Sequence, residues 1–207
     1  MTVDFLAQLI GNPTQAKILR AFVSNAIIPM PALLVAERAG VNSKLVAPEI
    51  QKLVDMGVVK RAKSLQEKHE REGQKNGTVE QWILNDQFKH VRALSSFVQE
   101  VSPAEFSQVE QMLKSAGKLT AVILSGVFMG DPTRPADLVI AADSLNERRL
   151  ERAVRDLEPL FGREIRYAAF STPEFRYRLT VQDRLIRDTL EYPHRVLVNR
   201  SGVIKMA

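Results

Sequence analysis

Residues 37–61 read ERAGVNSKLVAPEIQKLVDMGVVKR. Gly40 and Gly57 each close a run with helical apolar spacing, and valine follows each of them directly. Glycine in that place stops a helix, because it takes left-handed backbone without a Cβ penalty. Between the two stops, Val46, Ile50, Leu53 and Val54 fall on one helical face, and Asn42 or Ser43 is placed to cap it. Val58-Val59 then opens an extended run. A short capped helix held between a tight turn and a strand leaves few ways to bury its single apolar face.

The flanks narrow the choice. Asn12-Pro13 is a helix start, a capping side chain followed by proline at the first helical position. Ile18, Leu19, Phe22 and Val23 follow at helical spacing, and Asn25 closes the run. A second helix is expected from Met30 to Ala39. After the third helix, Val58–Lys63 and Thr78–Leu84 read as two strands around the polar loop LQEKHEREGQKNG. Three helices with a Gly-apolar-polar turn before the third, then a two-stranded wing, form a helix-turn-helix pattern. TQAKILRAFVSN, LVAERAGVNSKLVAPEIQKLVDMGVVKR and VEQWILND resemble the winged helix-turn-helix of bacterial and archaeal ArsR-like regulators over residues 6–88. The resemblance implies binding to double-stranded DNA. The outward residues of the third helix, Asn42, Ser43, Lys44, Ala47 and Gln51, would face base edges. The wing cations Lys63, Lys68, Arg71 and Lys75 would meet phosphates. Pro48 departs from the pattern. Inside a helix it removes a backbone donor and costs roughly 3 kcal/mol, so either the first turn is irregular or the helix proper begins near Pro48.

Residues 89–116 read as connecting helices broken at Ser102-Pro103. Val91, Leu94, Val98 and Val101 form a short stripe that either pairs with a second copy or packs on its own neighbours. Symmetric homodimers are the habit of such regulators.

Residues 117–207 read as a small mixed sheet with helices on it. Strands are expected at Lys118–Leu124, Asp137–Ala142, Glu164–Phe170 and Arg195–Asn199. Helices are expected at Asn146–Phe161 and from Ser171 to about Glu191. LSGVFMGDPTRPADLVIA, LFGREIRYAAFSTPEFRYRL and LEYPHRVLVN resemble the minimal nucleotidyltransferase fold, whose type is the catalytic core of DNA polymerase beta. The fold class expected for the whole chain is α+β: a winged helix-turn-helix (1–88), connecting helices (89–116) and a nucleotidyltransferase-like α/β domain (117–207).

In active members of that family, glycine-serine after the first strand holds the triphosphate. Paired acids on the second strand hold two metal ions, because hard cations need several carboxylate oxygens. Here Gly126 matches the glycine, but Val127 stands at the serine. Asp137 matches the second acid, but Pro135 stands at the first. Asp131, Asp143 and Glu164 are the only other carboxylates near these positions. The resemblance therefore implies a vestigial nucleotide site in a non-catalytic domain, with no cofactor and no metal, that serves dimerisation, sensing or partner binding.

Composition sets limits on the alternatives. The chain has 207 residues, a formal net charge of +5 and no cysteine. That excludes disulfides and thiol chemistry, and a mild basic excess suits nucleic acid without requiring it. MTVDFLAQLIGN lacks a basic, cleavable signal, and no apolar run reaches the ~18 residues of a membrane span. A cytoplasmic protein with no membrane partner is expected. Two further functions stay open: a metal-dependent nucleotidyltransferase acting on protein, RNA or a small molecule, and a protein–protein interaction module, with a nucleotide or a protein bound at the C-terminal domain.

Overall fold

The computed structural model of the chain describes residues 4–62, 79–101, 106–200, 202 and 204. Helices and two small sheets give an α+β chain that divides into two compact units. The first comprises Met1–Pro103 with Pro159–Arg163, the second Ala104–Glu158 with Glu164–Ala207.

In the first unit, α1 is Phe5–Ile10 and α2 is Pro13–Ser24, capped by Asn12, whose Oδ1 accepts the Gln15 amide. The segment expected as one helix from Met30 begins instead as a strand. β1, Met30–Pro31, precedes α3, Ala32–Ala39. The cause is local: a residue before proline is pushed to extended backbone, so Met30 cannot start a helix. A 3₁₀ turn over Ser43–Leu45 leads into α4, Val46–Asp55. β2 is Val59–Arg61 and β3 is Gln81–Leu84, both shorter than expected. The sheet order is β1-β3-β2, antiparallel throughout, with Met30 opposite Trp82 and Val59 opposite Leu84. The loop between β2 and β3, with Lys63, Lys68, Arg71 and Lys75, lies outside the described residues.

α5, Val91–Glu100, closes the first unit. Its stripe packs into that unit's own core: Val98 is buried within it, and Val91, Leu94 and Val101 are partly buried against it. Of the two alternatives for this stripe, packing on its own neighbours is the one seen within the chain. The expected break at Ser102-Pro103 lies outside the described residues.

In the second unit, α6 is Phe106–Leu113 and β4 is Lys118–Leu124. A 3₁₀ turn, Gly126–Met129, leads through a loop to β5, Leu138–Asp143. α7 is Glu147–Phe161, β6 Tyr167–Ser171, and β7 Arg195–Asn199. The sheet order is β6-β5-β4-β7, with β5–β6 parallel and the other pairs antiparallel. One face of this sheet, with Ala121, Ile123, Val139, Ala141 and Phe170, is covered by Phe175 and Ile186.

The helix expected from Ser171 to Glu191 is two helices, α8 (Thr172–Thr180) and α9 (Arg184–Glu191). Gln182 takes a left-handed φ of 51° between them. Asp183 caps α9 by accepting the Leu185 and Ile186 amides. β-Branched Thr180-Val181 followed by a capping aspartate is the local cause. The arginines here are mostly neutralised: Arg178 pairs with Glu174 and Asp183, Arg184 with Asp188, and Arg187 with Asp188 and Glu191.

No helix of the described residues is long and apolar enough to cross a membrane.

Candidate functional site

The 3₁₀ turn before α4 exists because Asn42 builds it. Its Oδ1 accepts the Lys44 amide at 2.9 Å, and its carbonyl accepts the Leu45 amide. α4 then starts at Val46, so Pro48 is its third residue. The amides of a first turn have no helical acceptor, so a proline there loses nothing. Both sequence expectations for Pro48 hold at once: the first turn is irregular, and the regular helix begins close to the proline. Replacing Pro48 with alanine is therefore expected to change stability by less than about 1 kcal/mol, slightly downward through a looser unfolded chain. A proline in the helix interior would instead be relieved by roughly 3 kcal/mol. Urea unfolding distinguishes the two.

α4 turns Val46, Ile50 and Leu53 inward and leaves Ala47, Pro48, Gln51, Lys52 and Asp55 exposed. Asn42, Ser43, Lys44 and Leu45 are exposed as well. The five sequence candidates Asn42, Ser43, Lys44, Ala47 and Gln51 thus share one open surface. Its electrostatics follow from one residue. Glu49, the only acid between Asn42 and Lys52, is buried. Its Oε1 accepts from Asn12 Nδ2 at 3.1 Å and from Lys52 Nζ at 2.8 Å. The exposed part of residues 42–52 therefore carries Lys44 and Lys52 and no exposed carboxylate. Lys44 makes no ion pair with a described residue. On β2, Lys60 pairs with Asp86, and Arg61 with Glu80 at 3.4 Å.

The second cluster lies where β4 leaves the sheet of the second unit. Gly126 opens the 3₁₀ turn with a left-handed φ of 52°. A Cβ on Gly126 would overlap Asp137 Oδ1 and reach within 3.1 Å of the Ala136 carbonyl. Asp137 sits one residue before β5 and is completely buried. Its Oδ1 accepts the Val127 amide at 2.9 Å and Arg166 Nη2 at 3.0 Å. Its Oδ2 accepts the Arg166 amide and Arg166 Nε, both at 3.0 Å. Arg166 Nη2 also donates to the Pro132 carbonyl, which ties the loop down. The hydrogen bonds to Asp137 hold the guanidinium above its ordinary basicity, against the opposing effect of its own burial.

The side chains at the other expected positions do not bond to Asp137. Val127 contributes its backbone rather than its side chain, and Pro135 is exposed on the loop. Asp131 accepts from Thr133 Oγ1, the Thr133 amide and Arg134 Nε. The Thr133 hydroxyl first, then that amide and Arg134, hold its carboxyl below the usual carboxylate range. Arg134 lies over the Tyr192 ring at 3.7 Å. Asp143 ends β5 and faces Lys118 at 4.0 Å. Glu164, expected at the start of β6, is exposed and three residues short of that strand.

Two residues escaped the sequence reading. Arg166, the cation on Asp137, was visible only as an arginine in an apolar run. Ser125 precedes the glycine instead of following it, and its hydroxyl is buried without a hydrogen-bond partner.

The donor set does not suit the metal pair that nucleotide transfer uses. Asp137 has two oxygens, each already accepting two N–H groups, and Pro135 offers no carboxylate. Two divalent ions need several free carboxylate oxygens.

Comparison of the chain with protein-family models, with curated proteins and with solved structures finds no match.

Proposed function

We propose that this chain is a DNA-binding transcriptional regulator. Its first unit is read as a winged helix-turn-helix resembling that of ArsR-like regulators. Its second unit is read as a pseudo-nucleotidyltransferase domain used for dimerisation, sensing or partner binding. The observation that carries the first half is the outer surface of residues 42–52. It is open, it bears Lys44, and its one acid is turned inward, where Asn12 and Lys52 bond to it. Such a surface suits a polyanion with base edges at the bottom of a groove. The order α2, α3, α4, β2, β3 supports the fold reading.

The non-catalytic reading of the second unit rests on Arg166. The guanidinium donates to both carboxylate oxygens of Asp137. Incubation with labelled nucleoside triphosphates and magnesium or manganese is expected to transfer no label to protein or RNA. Transfer that disappears in Asp137→Ala would overturn this half. Binding of the full chain to duplex DNA that includes its own upstream region, at two salt concentrations, tests the regulatory half. A complete absence of duplex binding at low salt would overturn it in favour of a protein-binding module.

A further inference from the structure

The surface of residues 42–55 carries more information than its charge. Gln51 Nε2 donates to Asp55 Oδ1 at 2.7 Å, one helical turn on. A carboxylate only accepts hydrogen bonds, so the amino end of the amide must face Asp55. That fixes the amide orientation. Oε1 is left as a free acceptor beside one remaining N–H. An acceptor next to a donor is the pattern that matches adenine, whose N6 amino group donates and whose N7 accepts. Ala47 and Pro48 lie four and three residues before Gln51 and so share its helical face. Both are exposed, and Leu45 is 50% exposed just before them. Exposed apolar groups on a groove-facing surface have a natural counterpart in the thymine methyl. Residues 42–55 contain no arginine, and of the two lysines that could read guanine Lys52 is held by Glu49.

We infer that this surface selects A·T base pairs in the major groove. Gln51, oriented by Asp55, reads adenine, and Leu45, Ala47 and Pro48 pack on thymine methyl groups. Asp55 is then a positioning residue that never touches the base. This inference rests on the DNA-binding reading above and adds the sequence class to it.

The test uses the full chain and a random-sequence duplex pool. Rounds of selection are expected to enrich duplexes sharing A·T steps. Remaking an enriched duplex with uracil for thymine removes only the methyl groups. Its affinity is expected to fall about three- to tenfold, the scale of one or two lost methyl contacts. Asp55→Asn lets the amide turn over, because asparagine can donate as well as accept. It is expected to reduce the ratio of affinities for the enriched duplex and an unselected one by about fivefold. Enrichment of G·C steps, equal affinity for the uracil duplex, or an unchanged preference in Asp55→Asn would overturn the inference and leave DNA binding standing. Failure to bind any duplex at low salt would sink the DNA reading itself, and the inference with it.

Discussion

Replacing Arg166 with alanine is expected to lower the unfolding free energy by about 3 kcal/mol, read as a shift of the urea midpoint at constant slope. Asp137 is completely buried, and Arg166 supplies three of its four hydrogen bonds, two through the guanidinium and one through its amide. Without the guanidinium, a buried carboxylate keeps two backbone donors and no counter-charge. Breaking a buried pair by removing one partner costs about 3–5 kcal/mol. The low end applies because the Arg166 side chain is 39% exposed, which lets water enter. Neutralising the stranded acid as well, in Arg166→Ala with Asp137→Asn, is expected to cost clearly less than the sum of the single changes. A loss under about 1 kcal/mol in Arg166→Ala would place the pair among ordinary surface ion pairs and would remove the argument for an occupied acid.

Gly126→Ala is expected to cost as much or more, about 3–4 kcal/mol. Two terms add. Alanine in left-handed backbone costs roughly 1–2 kcal/mol. Its Cβ would also displace the Asp137 carboxylate, loosening bonds to Val127 and Arg166. The remainder is the loss of those charge-assisted bonds, about 1.5–3 kcal/mol. Because both substitutions disturb one carboxylate, Gly126→Ala made on top of Arg166→Ala is expected to cost less than it does alone. Strictly additive losses would mean that the glycine and the arginine serve unrelated structures.

These two residues also mark where sequence reasoning stops. The frame around them was legible: apolar runs at 118–124 and 138–143 with a glycine and a loop between them can only be two buried strands and a connection. Asp137 stood out as the acid at the entry to the second strand. Its partner did not, because Arg166 lies 29 residues away and meets it only across the parallel β5–β6 pair. No local spacing announces such a pairing.

In the first unit the inward face of α4 was legible from its period, and the outward face followed from it. β1 was missed because its partner, β3, lies about fifty residues on, although the restriction that Pro31 places on Met30 was on view. The break between α8 and α9 had a local signal in Asp183, overridden by a helical pattern continuing on either side. The role of Pro48 needed the exact start of the helix, which is the least certain feature of any periodic pattern.

The central claim is that residues 42–52 meet duplex DNA. The most direct measurement is the salt dependence of duplex binding, by fluorescence anisotropy, for the native chain and for Lys44→Ala. The account predicts affinity that falls steeply as salt rises, with a log–log slope reduced by about one when Lys44 is removed. Binding that ignores salt, or a slope that Lys44→Ala leaves unchanged, would contradict it.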